Sequence, residues 1–234
     1  MQQSDIRAAW RGVERCRSCA IRHLVLFADL QQQDFDAIHQ PIDDLELSDG
    51  DILYRQGDQG GSVFTVRSGL VKLVQRLPNG DRRIVRLLRQ GDVAGLERTL
   101  QQPAKHDAIA LAGVSVCRIP LAVIETLAQQ TPKLYQQLLQ RWQHALSEAD
   151  LWLTHLSTGK ALVRVARLLL YLQRSCPENQ FYLPGREDMG AMLGVTTESA
   201  SKAVAELRRR GLLTVEGGNR AQIDLDGLAA MADE

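Results

Sequence analysis

Residues Arg186 to Leu213 read REDMGAMLGVTTESASKAVAELRRRGLL, two short helical patterns separated by one glycine. Asp188, Met189, Met192 and Leu193 suit the buried and capping positions of a first helix, and Gly194 supplies a tight turn. Thr196 or Thr197 can cap a second helix, which Gly211 stops. The stretch LLTVEGGNRAQIDL that follows predicts a hairpin turning at Gly217-Gly218, so the whole reads as a winged helix-turn-helix. The N-terminal half of such a second helix enters the major groove of DNA, and here it carries Thr197, Glu198, Ser199, Ser201 and Lys202. Glu198 can accept from a cytosine amino group, Ser201 can reach a base edge or thymine methyl, and Lys202 can donate to guanine O6 or N7. Arg208, Arg209 and Arg210 at the helix end, with Arg220 in the wing, stand where phosphates would pass. Ten Lys/Arg face six Asp/Glu between Lys160 and Arg220, whereas the whole chain balances 28 against 28, so the basic excess is local. Helix-turn-helix patterns also arise by chance, and a run of arginines suits any helix C-terminus. The segments upstream therefore have to decide.

Immediately ahead, ALVRVARLLLYLQRSC is an amphipathic helix and PENQFYLPG a turn-rich connection. Before it, a run from Pro132 to Gly159 has no breaker, which predicts a helix of about 25 residues and roughly 37 Å. Tyr135, Leu138, Trp142, Ala145, Ala149, Trp152 and Leu156 recur at alternating spacings of 3 and 4, a heptad seam. Leu139, Leu146 and Leu153 form a second apolar line one position along. Two lines suggest one for the chain's own core and one for a partner. The first, with the small Ala145 and Ala149, is expected to meet a second copy in a parallel homodimer.

From Gly50 to Pro120 the pattern changes to short β-branched runs broken by glycine: Gly57, Gly69, Gly80 and Gly91 fall 12, 11 and 11 residues apart. That rhythm, with hairpin chemistry at Asn79-Gly80, predicts an antiparallel β-roll. The expected fold is therefore α+β: an N-terminal antiparallel β-roll of jelly-roll type, a long dimerisation helix and a C-terminal winged helix-turn-helix. The expected boundaries are 1–27 for an N-terminal segment, 28–130 for the roll, 131–157 for the helix and 158–234 for the DNA-binding domain.

Gly57 to Leu73, GDQGGSVFTVRSGLVKL, and Arg89 to Glu97, RQGDVAGLE, resemble the effector domain of the CRP/FNR superfamily of bacterial regulators. LGVTTESASKAVAELRRRGLL resembles that family's recognition segment, whose usual core is Glu-x-x-Ser/Gly-Arg and stands here as Glu198, Ser201 and Lys202. Lysine in place of arginine leaves a point charge instead of a planar fork. Thr197 replaces an arginine of the cyclic-AMP-binding branch, so with Ser201 the segment looks like the FNR branch, which reads TTGAT-type half-sites. The resemblance implies a cytoplasmic, homodimeric, sequence-specific transcription regulator that binds a palindromic promoter site and meets RNA polymerase. Cyclic-AMP-binding members carry Gly-Glu for the ribose and Arg-Ser for the phosphate; the corresponding places here read Gly95-Leu96 and His106-Asp107. A carboxylate where a phosphate should sit is repulsive, which argues against cyclic AMP.

An enzyme needs a constellation, and HExxH, GxSxG and P-loop motifs are all absent. His23, His39, His106, His144 and His155 are scattered, and nothing selects one as a haem ligand. No apolar run reaches membrane-spanning length, and the opening MQQSDIRAAWRGVERC lacks the apolar stretch of a secretory signal. The cytoplasm and reduced thiols are expected. FNR itself holds an oxygen-labile [4Fe-4S] cluster through an N-terminal Cys-x2-Cys-x5-Cys and a later cysteine. Cys16, Cys19 and Cys117 match three of these places, and Val25 occupies the remaining one. His23, Asp29 or an exogenous group is a candidate fourth ligand to iron and sulfur. Alternatively the three cysteines form a thiol switch, with Arg15, Arg17 and Arg22 favouring thiolates, or they sense nothing. Cys176 reads as incidental. A redox- or ligand-binding module whose helix-turn-helix serves protein contacts is the alternative function.

Overall fold

The computed structural model describes residues 42–130, 133–174 and 180–232. The chain divides into two compact units: one holds the residues to Gln75 with Leu87–Leu146, and the other holds Arg76–Arg86 with Ser147–Glu234.

The β-roll is built on β1 (Asp43–Leu47), β2 (Ile52–Tyr54), β3 (Ser62–Arg76), β4 (Arg82–Leu88), β5 (Val93–Ala94) and β6 (Asp107–Pro120), with the β3–β4 tip, Arg76–Arg86, assigned to the second unit. Its sheet runs β1-β6-β3-β4, with β2 paired to β6 and β5 to β3. The pairings of β6 with β1, β2 and β3 are antiparallel, as the glycine-punctuated pattern predicts. Gly57, Gly69, Gly80 and Gly91 all hold positive φ between 80° and 90°. At Gly69 the need is steric as well, because a Cβ there would be driven into the Gly113 carbonyl, where β3 and β6 shift register. Leu121–Gln130 (α1) seals one end of the roll, placing Val123, Ile124 and Leu127 against Ile42, Val63 and Ile119.

Lys133–Leu151 (α2) begins inside this core, where Leu134 is buried and Leu138 packs against it. The heptad seam needs correction. Ala145, Trp152 and Leu156 are buried, at 9%, 5% and 1% exposure, so with Leu138 they serve the chain's own cores. The exposed line is Tyr135, Leu139, Trp142, Leu146 and Leu153, with the partly buried Ala149 completing the same heptad. The two lines lie one residue, or about 100° of helix, apart, so covering one turns the other outward. The predicted unbroken helix also changes geometry at Trp152–Leu156, which is π-helical. Side chains take up its displaced carbonyls: Ser157 Oγ donates to Trp152 O at 3.1 Å and Arg167 Nη1 to His155 O at 3.2 Å.

In the second unit, Ala161–Gln173 (α3) is the central helix, with Val165, Ala166, Leu168 and Leu169 fully buried. Around it lie β7 (Phe181–Tyr182), α4 (Arg186–Leu193), α5 (Thr197–Arg209), β8 (Leu213–Glu216), β9 (Arg220–Ile223) and α6 (Leu225–Ala232). The small sheet runs β7-β9-β8, and the β8–β9 hairpin is the predicted wing. Among the described residues, no helix is long and apolar enough to cross a membrane.

Substituting Gly69→Ala should destabilise the protein by roughly 2 kcal/mol or more, through left-handed strain plus backbone overlap. Denaturant unfolding measures it; a loss no larger than that of Gly80→Ala, where a Cβ meets open space, would show that the register shift tolerates a side chain.

Candidate DNA-binding site

The site starts from the turn between α4 and α5. Gly190 approaches Val195 O so closely that a Cβ would stand 2.7 Å from it, and Gly190 O accepts from both Gly194 N (2.9 Å) and Val195 N (3.2 Å). Gly194 ends α4 in the left-handed region at φ 66°. Arg164 Nη1, from α3, donates to Leu193 O at 3.0 Å and so occupies another of the carbonyls left over at that helix end. Thr196 caps α5: its Oγ1 accepts from Ser199 N at 3.1 Å and donates to Ser199 Oγ at 2.9 Å. Ser199, expected on the reading face, is thus partly buried in the cap.

Ala200, Ala203, Val204 and Leu207 anchor α5 inward, which leaves Thr197, Glu198, Ser201, Lys202 and Arg208 exposed. Lys202 Nζ pairs with Glu198 Oε1 at 2.6 Å, with side chains 77% and 75% exposed. Ser201 Oγ donates back to Thr197 O at 2.8 Å. Of the three terminal arginines, Arg209 and Arg210 are both held by Glu206, and their hydrogen bonds keep its carboxyl below the ordinary carboxylate range. Arg208 has no carboxylate partner among the described residues. Its charge lies near Arg186, whose pKa is lowered first by burial and then by Arg208. Arg220 is exposed where the wing strand begins, after the left-handed Gly218 and Asn219. Sequence reasoning missed Gly190, Arg164 and Arg186. Only Gly190 left a signal, as a glycine inside a predicted helix.

The roll carries its own polar cassette. Leu96 belongs to the hydrophobic core, and Asp107, 7% exposed, accepts from Gln56 N at 2.8 Å. Arg98, 4% exposed, stacks 4.4 Å over the Tyr54 ring and donates to Ser62 O at 2.9 Å. Cys117 is half-buried; its thiol donates to Asp44 Oδ1 at 3.5 Å, and Asp44 Oδ2 pairs with Arg67 at 2.7 Å. Cys16 and Cys19 lie outside the described residues, as do Cys176, His23, Val25 and Asp29. Among the described residues no three His, Cys, Asp or Glu side chains come together to hold a metal, and the Asp44 carboxylate that accepts from Cys117 is also paired with Arg67. His144 faces Asp92 at 3.4 Å, and His155 bonds Thr154 Oγ1 at 2.8 Å.

A capped reading helix with a wing, behind a β-roll and a long helix, defines a DNA-binding regulator with a separate effector domain. The comparisons agree. The cyclic nucleotide-binding domain family matches residues 44–131, and the Crp-like helix-turn-helix domain family matches 163–231. The transcriptional activator protein FnrA of Stutzerimonas stutzeri is 31% identical, covering 93% of this chain and 92% of the relative. The transcriptional activator protein anr of Pseudomonas aeruginosa is 30% identical over the same shares. The solved structure of FixK2 from Bradyrhizobium japonicum aligns with a TM-score of 0.73 at 25% identity, covering 81% of this chain and 96% of that one. The chain belongs to the CRP/FNR superfamily of transcription regulators.

Thr196→Ala should cost about 1 kcal/mol of stability through removal of the cap, as chemical denaturation would measure. Thr196→Ser should recover most of it; equal losses in both would mean the hydroxyl does not act as the cap.

Proposed function

We propose that this regulator binds FNR-type palindromic sites as a homodimer, with Glu198, Ser201 and Lys202 reading base edges. Thr197, Ser199, Arg208 and Arg220 support that contact: Thr197 and Ser199 at the helix start, the two arginines at phosphates. The observation that carries the reading is the solvent-facing Glu198–Ser201–Lys202 surface on the capped start of α5. Lys202→Ala should weaken binding to a cognate palindrome by about 1 to 3 kcal/mol and relax the preference for guanine. A gel-shift showing equal losses on cognate and scrambled duplexes would reduce Lys202 to a phosphate contact.

The dimer forms along the exposed line Tyr135, Leu139, Trp142, Leu146, Ala149 and Leu153, where repeated apolar positions face solvent in the single chain. Leu146→Glu should give a folded monomer in sedimentation. An unchanged dimer would move the interface elsewhere. Action as an activator is supported by the names of the two relatives, both transcriptional activator proteins.

The signal is oxygen- or redox-linked, entering through Cys16, Cys19 and Cys117. Another relative, the anaerobic regulatory protein of Haemophilus influenzae, is 28% identical over 91% of this chain and supports this input. Against cyclic AMP as the effector stand Leu96, which lies in the core, and Asp107, which is buried and hydrogen-bonded, at the positions the resemblance assigns to ribose and phosphate contacts. Anaerobic purification followed by iron and sulfide assay separates a cluster from a thiol switch. A colourless, iron-free protein whose DNA affinity ignores oxidants would remove both.

A further inference from the structure

The tip of the β3–β4 hairpin, Arg76–Arg86, groups with the DNA-binding unit. It carries Arg76, Arg82, Arg83 and Arg86 against a single acid, Asp81. That acid is tied into the turn: Asn79 Nδ2 donates to Asp81 Oδ2 at 2.8 Å, and Asp81 N donates to Asn79 Oδ1 at 3.1 Å. Arg82 pairs with Glu187 in the first turn of α4. Arg83 lies over Gly194 so closely that any side chain at that glycine would overlap its guanidinium. Arg83 itself has no carboxylate partner among the described residues.

These neighbours place a cation where DNA binding has a use for one. Gly194 lies three residues before Thr197, the first residue of α5. When the start of a reading helix enters the major groove, the strand bordering the groove passes close to the preceding turn, and contacts to its phosphates fix the register. The unbonded N–H groups and dipole at that helix start favour an anion in the same place. Glu187 is the carboxylate that would repel it, and Arg82 cancels that charge, leaving Arg83 as surplus. We propose that the hairpin belongs to the DNA-contacting surface, with Arg83 bonding a backbone phosphate that borders the half-site read by α5. The inference rests on the DNA-binding reading above and extends its footprint beyond the helix-turn-helix.

The test is a fluorescence-anisotropy titration of the full chain against a palindromic duplex and a scrambled one over a range of salt concentrations. Arg83→Ala should weaken binding to both by roughly three- to tenfold, and flatten the slope of log affinity against log salt by about 0.9 for each phosphate no longer neutralised. Preference between the duplexes should not change, and Arg83→Lys should keep the slope. Arg82→Ala should also weaken binding by exposing Glu187, with recovery in Arg82→Ala/Glu187→Gln. Tighter binding by Arg83→Ala would make the hairpin a lid over the turn and overturn the proposal, as would an unchanged slope. If Lys202→Ala still abolishes preference while Arg83→Ala changes nothing, only the hairpin assignment fails; a wild-type protein without preference for the palindrome overturns both.

Discussion

One helix stripe closes two cores. Leu134 and Leu138 on α2 pack in the core of the roll unit, and further along the same chain segment Trp152 and Leu156 are buried in the unit that carries the helix-turn-helix. Trp152 sets its edge against Tyr171 of α3 at 6.0 Å, and Tyr171 donates to Glu148 at 2.5 Å. Burying large apolar side chains contributes on the order of 2 kcal/mol each, so the inward face of this helix is fixed by its own chain before any partner arrives. The outward face then follows from geometry. The π-helical turn at Trp152–Leu156 lies within the second unit, where the Trp152 and His155 carbonyls accept from Ser157 and Arg167.

That constraint explains which parts of the fold were legible in the sequence. Turn chemistry is local: Gly57, Gly69, Gly80, Gly91 and Gly194 each announce a left-handed backbone that the structure contains. The helix-turn-helix was legible for the same reason, since Gly194, Thr196 and the inward Ala200, Val204 and Leu207 act within a few residues of one another. The helix seam was not. Both apolar lines on α2 satisfy a heptad, and only tertiary packing decides which is covered. Ala145 and Ala149 suggested close approach of two helices, yet Ala145 meets its own chain and the leucine line faces out.

The site shows the same division. Residue types on the exposed face of α5 were legible, because amphipathic periodicity fixes a helix face. Side-chain partners were not. Ser199 is the seventh residue after Met192 and looks like any polar position, but a hydroxyl three residues from the capping threonine is drawn into the cap. Nothing in the sequence pattern told that Arg209 and Arg210 both pair with Glu206, whereas Arg208, one residue earlier, makes no ion pair with that carboxylate. Arg164 lies 29 residues before the Leu193 carbonyl it bonds, so no local pattern marks it.

On the proposed reading, the pairing of Glu198 with Lys202 would bear on how the protein discriminates among sequences. In the free helix each satisfies the other across one turn, an exposed contact contributing only a few tenths of a kcal/mol. Docking in the groove desolvates both and must redirect them to bases. A site that offers a cytosine amino group and a guanine edge replaces the broken pair, whereas a wrong base leaves a desolvated charge without a matching partner, which costs far more than the original pair contributed. On that reading, small initial stabilisation combined with a large penalty for mismatch would make these two side chains determinants of specificity more than of affinity. Affinity falls instead to the cations outside the pair, because their attraction to the backbone does not depend on which base lies in the groove.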